Sequence, residues 1–321
     1  MSVQIDHYRD ADEAAVLSLW NSALPLDPID QNTFRRKVLL DPNFDSSSLL
    51  VAKSGSKFIG FGLCLVRHVP MEGVGMEEDI GWITAFAVHP SSRNKGVGGK
   101  LLETTLALFA EAGRSTVQIA PYTPNYFVPG VDVELYADGI KFLEKHGFET
   151  ISRPLSMDAS LLKFSYSNSC LQREEELLNQ GISIRFLQPT ECSAFMAFMC
   201  RHMPGDWARQ AREALIDATK EFTNFDRFIV AALNSNKNNG NHYVGYSQFE
   251  GEHFGPFGVL DCYQGKNIGT VLLGRALEAM RQQGSHNAWV LWTNDKTARL
   301  YERFGFTESR RFAIMEKKII V

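Results

Sequence analysis

The sequence has no apolar run approaching the roughly 20 residues needed to cross a bilayer, so no membrane span is expected. It also lacks a basic block. Its 33 Lys and Arg stand against 37 Asp and Glu, for a net charge of −4, and the first 160 residues are the more acidic part. Nucleic-acid binders carry clustered positive charge, so no nucleic-acid partner is expected. An acidic half would be repelled by an anionic membrane surface, so no membrane partner is expected either. Cysteine is scarce and scattered. Cys64, Cys170, Cys192, Cys200 and Cys262 are odd in number and include no Cys-x-x-Cys pair. That argues against a disulfide framework and a zinc site, and for reduced thiols with no metal. Residues 1–7 lack the charged and apolar regions of a secretory signal, so the expected location is cytoplasmic.

What the sequence has is repetition. Its 321 residues exceed one ordinary domain of roughly 150 residues. The run from Phe86 to Gly98 aligns without a gap on the run from Phe257 to Gly269. Upstream, Val51-Ala52 and Ile59-Gly60-Phe61 answer Val230-Ala231 and Val244-Gly245-Tyr246. Downstream, Phe142 to Phe148 answers Leu300 to Phe306. Four matches in one order imply a duplicated domain. Periodicity fills in the elements. Residues 49–53, 57–67 and 80–88 read as strands, with a solvated Asn-rich turn at 234–241 in the second copy. After the glycines, Leu101, Leu102, Thr105, Leu106 and Phe109 share one helical face, and Leu272, Leu273, Ala276, Leu277 and Met280 repeat it. Strands at 116–120 and 288–292 follow, then last helices ending at Gly147 and Gly305. Residues 12–22 and 190–201 read as first helices. The expected division is 1–157, a linker at 158–180, and 181–321. Each domain is expected to be of α/β class, a mixed twisted sheet with helices on both faces.

A strand, then Arg93-x-x-Gly96-x-Gly98, then a helix is a phosphate cradle in physical terms. Glycine lets backbone approach an anion, and free amides at a helix start point toward it. Arg93 and Lys95 add positive charge. A bare Gly-rich turn would look the same, but here the flanking elements recur twice at matching distances. In this context the chain resembles the GNAT superfamily of N-acetyltransferases, over nearly its whole length and as two tandem domains. The stretches from Tyr122 to Asp132 and from Met203 to Trp207 are similar to a bacterial group of tandem GNAT proteins. The resemblance implies acetyl-CoA as the acyl donor. It implies that Phe86, Ala87 and Val88 meet the pantetheine, and that Arg93, Asn94, Lys95, Gly96, Val97, Gly98 and Gly99 meet the pyrophosphate. In the second copy the corresponding residues are Gly258, Val259, Gln264, Gly265, Lys266, Asn267, Ile268 and Gly269. That copy departs from the pattern at Asn267, in place of the first glycine, and at Asp261, in place of Pro90. The strands at 80–88 and 116–120 are expected to splay apart and admit the pantetheine.

The closing motif favours the other half. In the superfamily a tyrosine on the last helix protonates the leaving thiolate. Tyr301 holds that position, and Asn294 holds the frequent cofactor-contacting asparagine. The first copy has Leu143 and Tyr136 there. The plainer alternative for Tyr301 is an amphipathic residue packing its helix to the sheet. Glu77, Glu78 and Asp79 precede a central strand, and Asp79 is the candidate general base, with a solvated acidic turn as the plainer account. The extra residues around Tyr126-Phe127-Val128-Pro129 read as an acceptor-side lid or as a passive loop. The expected activity is acetyl transfer to a primary amine of a small molecule or peptide. The alternative is an acetyl-CoA sensor or partner-binding module with little turnover. Oligomeric state, a homodimer included, is left open.

Overall fold

The computed structural model describes residues 3–221, 225–234 and 242–320. In chain order the first elements are β1 (Gln4–His7), α1 (Glu13–Ala23), α2 (Gln31–Phe34), β2 (Leu49–Ser54), β3 (Lys57–Leu65) and β4 (Ile80–Val88). Next come α3 (Val97–Glu111), β5 (Thr116–Ile119), β6 (Val131–Asp132), α4 (Ala137–Lys145) and β7 (Glu149–Ser152). The chain continues with β8 (Leu155–Ser160), α5 (Asn168–Asn179), β9 (Ile182–Phe186), α6 (Cys192–His202), α7 (Asp206–Glu221), β10 (Phe228–Leu233) and β11 (His242–Glu250). It ends with β12 (His253–Val259), α8 (Ile268–Gln282), β13 (Asn287–Thr293), α9 (Asp295–Glu302) and β14 (Thr307–Lys318). The Asn-rich turn lies, from residue 235 to 241, outside the described residues.

The chain forms two compact units that are not contiguous in sequence. One comprises residues 1–70, 75–154 and 311–321, and the other residues 71–74 and 155–310. In the first unit β1, β2, β3 and β4 pair antiparallel in order, and β4 pairs parallel with β5. The part of β14 from 312 to 318 then pairs antiparallel with β5, β6 and β7. In the second unit β9, β10, β11 and β12 run antiparallel in order, β12 and β13 pair parallel, and β13 pairs antiparallel with β8. The residues expected as a linker, 158–180, therefore include the end of β8 and all of α5. Cys170 and Leu177 of α5 are buried, and Glu174 ties it to Arg275 of α8 at 2.6 Å.

Both sheets are mixed and buried on both faces, as the near-continuous apolar runs of β2, β3, β10 and β11 demand. In the first unit Trp20, Phe34, Phe61 and Trp82 fill one face, while Ile83, Leu102, Phe109 and Leu143 fill the other. In the second unit α6 and α7 cover one face through Phe195, Met199 and Leu215. There α8 and α9 cover the opposite face through Leu272, Leu277 and Tyr301. Close approach fixes the seat of α3: a Cβ on Gly81 of β4 would lie within 2.8 Å of three Phe109 ring atoms. No helix among the described residues is long and apolar enough to cross a membrane.

Candidate active site

The central cleft follows from where two parallel strands stop pairing. β4 and β5 match from Ile80/Thr116 to Ile83/Ile119, and the last bond runs from the Ala120 N–H to the Ile83 carbonyl at 2.9 Å. Ala120 then takes φ 80°, which turns the chain away. The rest of β4 has β3 on one side only. Which backbone groups face the open side follows from alternation. The His89 N–H donates to the Ile59 carbonyl at 2.9 Å, so His89, Ala87 and Ala85 spend their backbone groups on β3. Phe86 and Val88 therefore aim theirs at the open edge. Ala87, a sequence candidate beside them, does not.

The second unit repeats this geometry. β12 and β13 meet at His253/Trp289 and then part. The Leu260 N–H donates to the Val244 carbonyl at 2.9 Å, so Gly258 is bonded to β11, while Val259 and Phe257 face the open edge. Phe257 was not among the sequence candidates. The gap-free alignment had placed it under Phe86, and period-two alternation was the signal that selects it.

Each strand leads through one turn into a helix start. In the first loop Asn94 has φ 58° and Gly96 φ 79°, and α3 begins with the Lys100 N–H bonding the Gly96 carbonyl at 3.1 Å. The amides of Val97, Gly98 and Gly99 precede that bond and have no intrahelical acceptor. A Cβ on Gly96 would meet nothing within 4 Å, so the loop borders open space beside this helix start. In the second loop Gly265 has φ 79° and Asn267 φ 64°, and α8 begins with the Val271 N–H bonding the Asn267 carbonyl at 3.1 Å. The two left-handed positions are thus the same in both loops, with glycine and asparagine exchanged. Asn267 at ψ 5° nearly reproduces Gly96 at ψ −4°. Asparagine tolerates this region better than other side chains, so the departure at 267 leaves the loop's shape intact. The amides presented are those of Ile268, Gly269 and Thr270. The residues present fit a pyrophosphate at both loops.

The charged candidates also hold the loops together. Arg93 donates from Nε to the Val88 carbonyl at 3.1 Å and from a terminal nitrogen to the Ala23 carbonyl at 3.0 Å. Gln264, its counterpart, donates to the Val259 carbonyl at 3.3 Å and to Asp261 at 2.8 Å. Asp261 thereby has a hydrogen-bond partner at the turn. Lys95 donates to the Ser91 carbonyl at 2.7 Å, and Lys266 lies over the Tyr263 ring at 5.1 Å.

Tyr301 is 4 % exposed, with its ring edge-on to Phe254 at 5.9 Å and near Phe257 at 6.3 Å. Burial pushes its phenol well up, and a hydrogen bond with Thr293 pulls the other way. The side chain thus both packs α9 and stands beside Phe257 at the open edge of β12. Asn294 caps α9, its side chain accepting the Thr297 N–H at 3.0 Å. Asp79 is exposed at the start of β4, and its carbonyl accepts the Ser115 and Thr116 N–H groups. It lies four residues, roughly 13 Å along a strand, before the point where the strands part; the fold does not bring it into the cleft. Glu77 accepts the buried Arg67 guanidinium at 2.7 Å. Phe127 packs on Trp20 at 4.8 Å, and the Tyr126 carbonyl accepts Lys37 Nζ at 2.8 Å, which seats that loop on the first unit's helical face.

Comparison with known proteins identifies the family of both units. Residues 14–148 match the model of the Acetyltransferase (GNAT) family, and residues 224–308 match that of the Acetyltransferase (GNAT) domain. Among solved structures, a fungal GCN5-related glucosamine N-acetyltransferase region of a multi-domain β-N-acetylglucosaminidase superposes with TM-score 0.78 at 20 % identity. That match covers 98 % of this chain and 38 % of the fungal one, so this chain spans well under half the fungal chain's length. A GCN5-related N-acetyltransferase from Sphaerobacter thermophilus gives TM-score 0.67 at 15 % identity, covering 98 % of this chain and 95 % of that one. A tandem GNAT protein from the clavulanic acid biosynthesis pathway gives 0.61 at 14 % identity, covering 99 % and 98 %. At these identities the likeness is one of fold. No curated protein matches significantly in sequence.

Proposed function

The chain belongs to the GNAT acetyltransferase family, and from that premise we propose that it transfers an acetyl group from acetyl-CoA to a primary amine of a small molecule or peptide, in the cytoplasm. The observation that carries the reading is the paired left-handed loop, Asn94/Gly96 and Gly265/Asn267, each following a strand with one open edge. When bound, acetyl-CoA supplies an activated thioester carbonyl. The amides of Val97, Gly98 and Gly99, and of Ile268, Gly269 and Thr270, would hold its pyrophosphate. The amides of Phe86 and Val88, and of Phe257 and Val259, would pair with its pantetheine arm, and an edge amide of the same strand would stabilise the carbonyl oxygen as negative charge develops. We assign turnover to the second unit. Tyr301 Oη is protonated at neutral pH, as a phenol ordinarily is, and burial only reinforces this; it would give that proton to the departing thiolate. The first unit has Leu143 in that place, and we assign it to binding. The incoming ammonium loses its proton to water or to a group other than Asp79 acting directly. The fungal neighbour is described as a glucosamine N-acetyltransferase region, which makes glucosamine a sensible first amine to assay.

Tyr301→Phe tests the catalytic part. It should lower kcat by about a hundredfold, in the usual range for a lost general acid, and leave the KM for acetyl-CoA nearly unchanged. Unaltered turnover would assign Tyr301 to packing. The second reading, a CoA-binding sensor, draws on the Thr293 bond that engages the Tyr301 phenol. It is supported instead if acetyl-CoA raises the Tm and no amine accelerates thiol release.

A further inference from the structure

In the first unit the sheet face toward α1 is sealed by carbon. Phe61, Leu63 and Trp82 are each at most 1 % exposed, and Trp20 stacks on Phe61 at 4.9 Å. Strand register gives the counterparts in the second unit. Phe61 opposes Ala87 and Leu65 opposes Trp82, while Tyr246 opposes Gly258 and Glu250 opposes His253. The three positions therefore carry Tyr246, Gln248 and His253. Two of these end in buried polar atoms: the Tyr246 hydroxyl and Gln248 Oε1 have no hydrogen-bond partner among the described residues, on side chains 0 % and 7 % exposed. Such groups destabilise a fold unless something pairs with them. The first unit shows that apolar side chains fill the same positions, so the fold does not require these polar ends.

Their surroundings point to a ligand. Opposite Gln248, β12 bulges through Gly255 and Pro256. A Cβ on Gly255 would meet nothing within 4 Å, and Pro256 has no N–H to offer. Gly258, opposite Tyr246, is roofed by Met203 and Trp207: a Cβ there would lie 3.0 and 2.9 Å from them. Trp207 is 39 % exposed, so this roof borders solvent. On the same face the Trp289 ring stacks on His253 at 4.2 Å. Acidic groups ring the face. Asp158 opposes Trp289, Glu250 opposes His253, and Asp206 acts electrostatically on Tyr246 while paired with Arg209 at 2.8 Å. Burial holds the His253 imidazole neutral, so it adds no competing cation.

We propose that Tyr246 and Gln248 are the acceptor-reading residues of the second unit, pairing with the N–H and O–H groups of a small hydroxylated primary amine bound beside Met203 and Trp207. This rests on the acetyl-transfer reading and names the acceptor class. A ligand N–H or O–H completes Gln248 Oε1, a ligand hydroxyl can both accept from and donate to the Tyr246 hydroxyl, and the acidic rim favours an ammonium. An apolar amine would leave both atoms unsatisfied, which is a strong basis for rejection.

The test uses the full chain, acetyl-CoA and two matched amines: serinol, and its isostere in which both hydroxyls are methyls. Serinol should be acetylated with at least tenfold higher kcat/KM. Tyr246→Phe and Gln248→Leu, which install the first unit's residue types, should each lower kcat/KM for serinol at least tenfold and erase the preference. They should leave the Kd for acetyl-CoA unchanged and raise the Tm. A raised Tm with an unmoved serinol-to-isostere ratio would mean that the two side chains are only structural, and would overturn the proposal. So would acetyl-CoA binding with no acetylation of serinol. Failure of acetyl-CoA to bind sinks the acetyl-transfer reading instead. In that event, protection of the parent by serinol against thermal unfolding, absent in the double variant, would still support the assignment, and equal protection of both would overturn it.

Discussion

At the scale of single residues, the second unit places ionisable groups where the first places hydrocarbon. His253 occupies the position of Trp82, and burial depresses its imidazole to about 4 from an ordinary 6.5. The groups facing it are Trp289 on β13 and Glu250 on β11, with Asp158 beyond Trp289. The linkage sign follows from the lowered value. Below pH 6.5 the unfolded chain takes up a proton that the native chain refuses. The native state is therefore undisturbed above pH 6.5 and loses stability as pH falls toward 4, where the loss levels off. A displacement of this size corresponds to roughly 3 kcal/mol at most. Denaturant titrations of His253→Phe between pH 7 and 4 should show a flatter profile than the parent over the window from about 6.5 to 4. Parallel profiles would show that His253 titrates as it does in the unfolded chain.

At the scale of elements, the two strand–loop–helix segments share a backbone path and differ in what stands on it. Gly96 leaves its surroundings bare, whereas Asn267 carries a side chain at the equivalent left-handed position. Each amide donated to a charged phosphate is worth roughly 1.5–3 kcal/mol. Partial screening of one amide by the Asn267 side chain should weaken the second site by about tenfold, the equivalent of roughly 1.4 kcal/mol. Calorimetry with acetyl-CoA should therefore resolve a tight and a weak site. Gly96→Trp should remove the tight one, and Asn267→Gly should strengthen the weak one without disturbing a loop that already has the glycine-like geometry. Loss of the tight site on Asn267→Trp, with Gly96→Trp silent, would reverse the ranking.

At the scale of the molecule, the first unit is completed by residues 311–320, far in sequence from the rest of it. Phe312, Ala313 and Met315 are fully buried, and residues 315–318 pair with β5. Truncating a buried Phe or Met to Ala typically costs 2–5 kcal/mol, and a domain's net stability is only about 5–15 kcal/mol. A chain ending at Arg310 should therefore lose cooperative unfolding of the first unit and, with it, the tight acetyl-CoA site. Near-ultraviolet circular dichroism and calorimetry on that truncation would show it. Retention of both signals would mean that β4 and β5 hold their cleft without the last strand.

The sequence by itself determined the duplication, the α/β class and the order of strand, glycine loop and helix in each copy, because these depend on local periodicity and on residues tolerant of left-handed backbone. Residues 80–88 and 97–111 are legible from their own side chains. Three things were settled only in three dimensions. The backbone groups facing each cleft depend on pairing parity, which singles out Phe86, Val88, Phe257 and Val259 and turns Ala87 and Gly258 away. The equivalence of Asn267 and Gly96 depends on a dihedral angle that the residue name does not fix. The membership of 155–160 and 311–318 in their sheets depends on which edge each strand meets. A strand's sequence specifies two faces to bury but carries no label for its neighbour, so only tertiary packing assigns that edge.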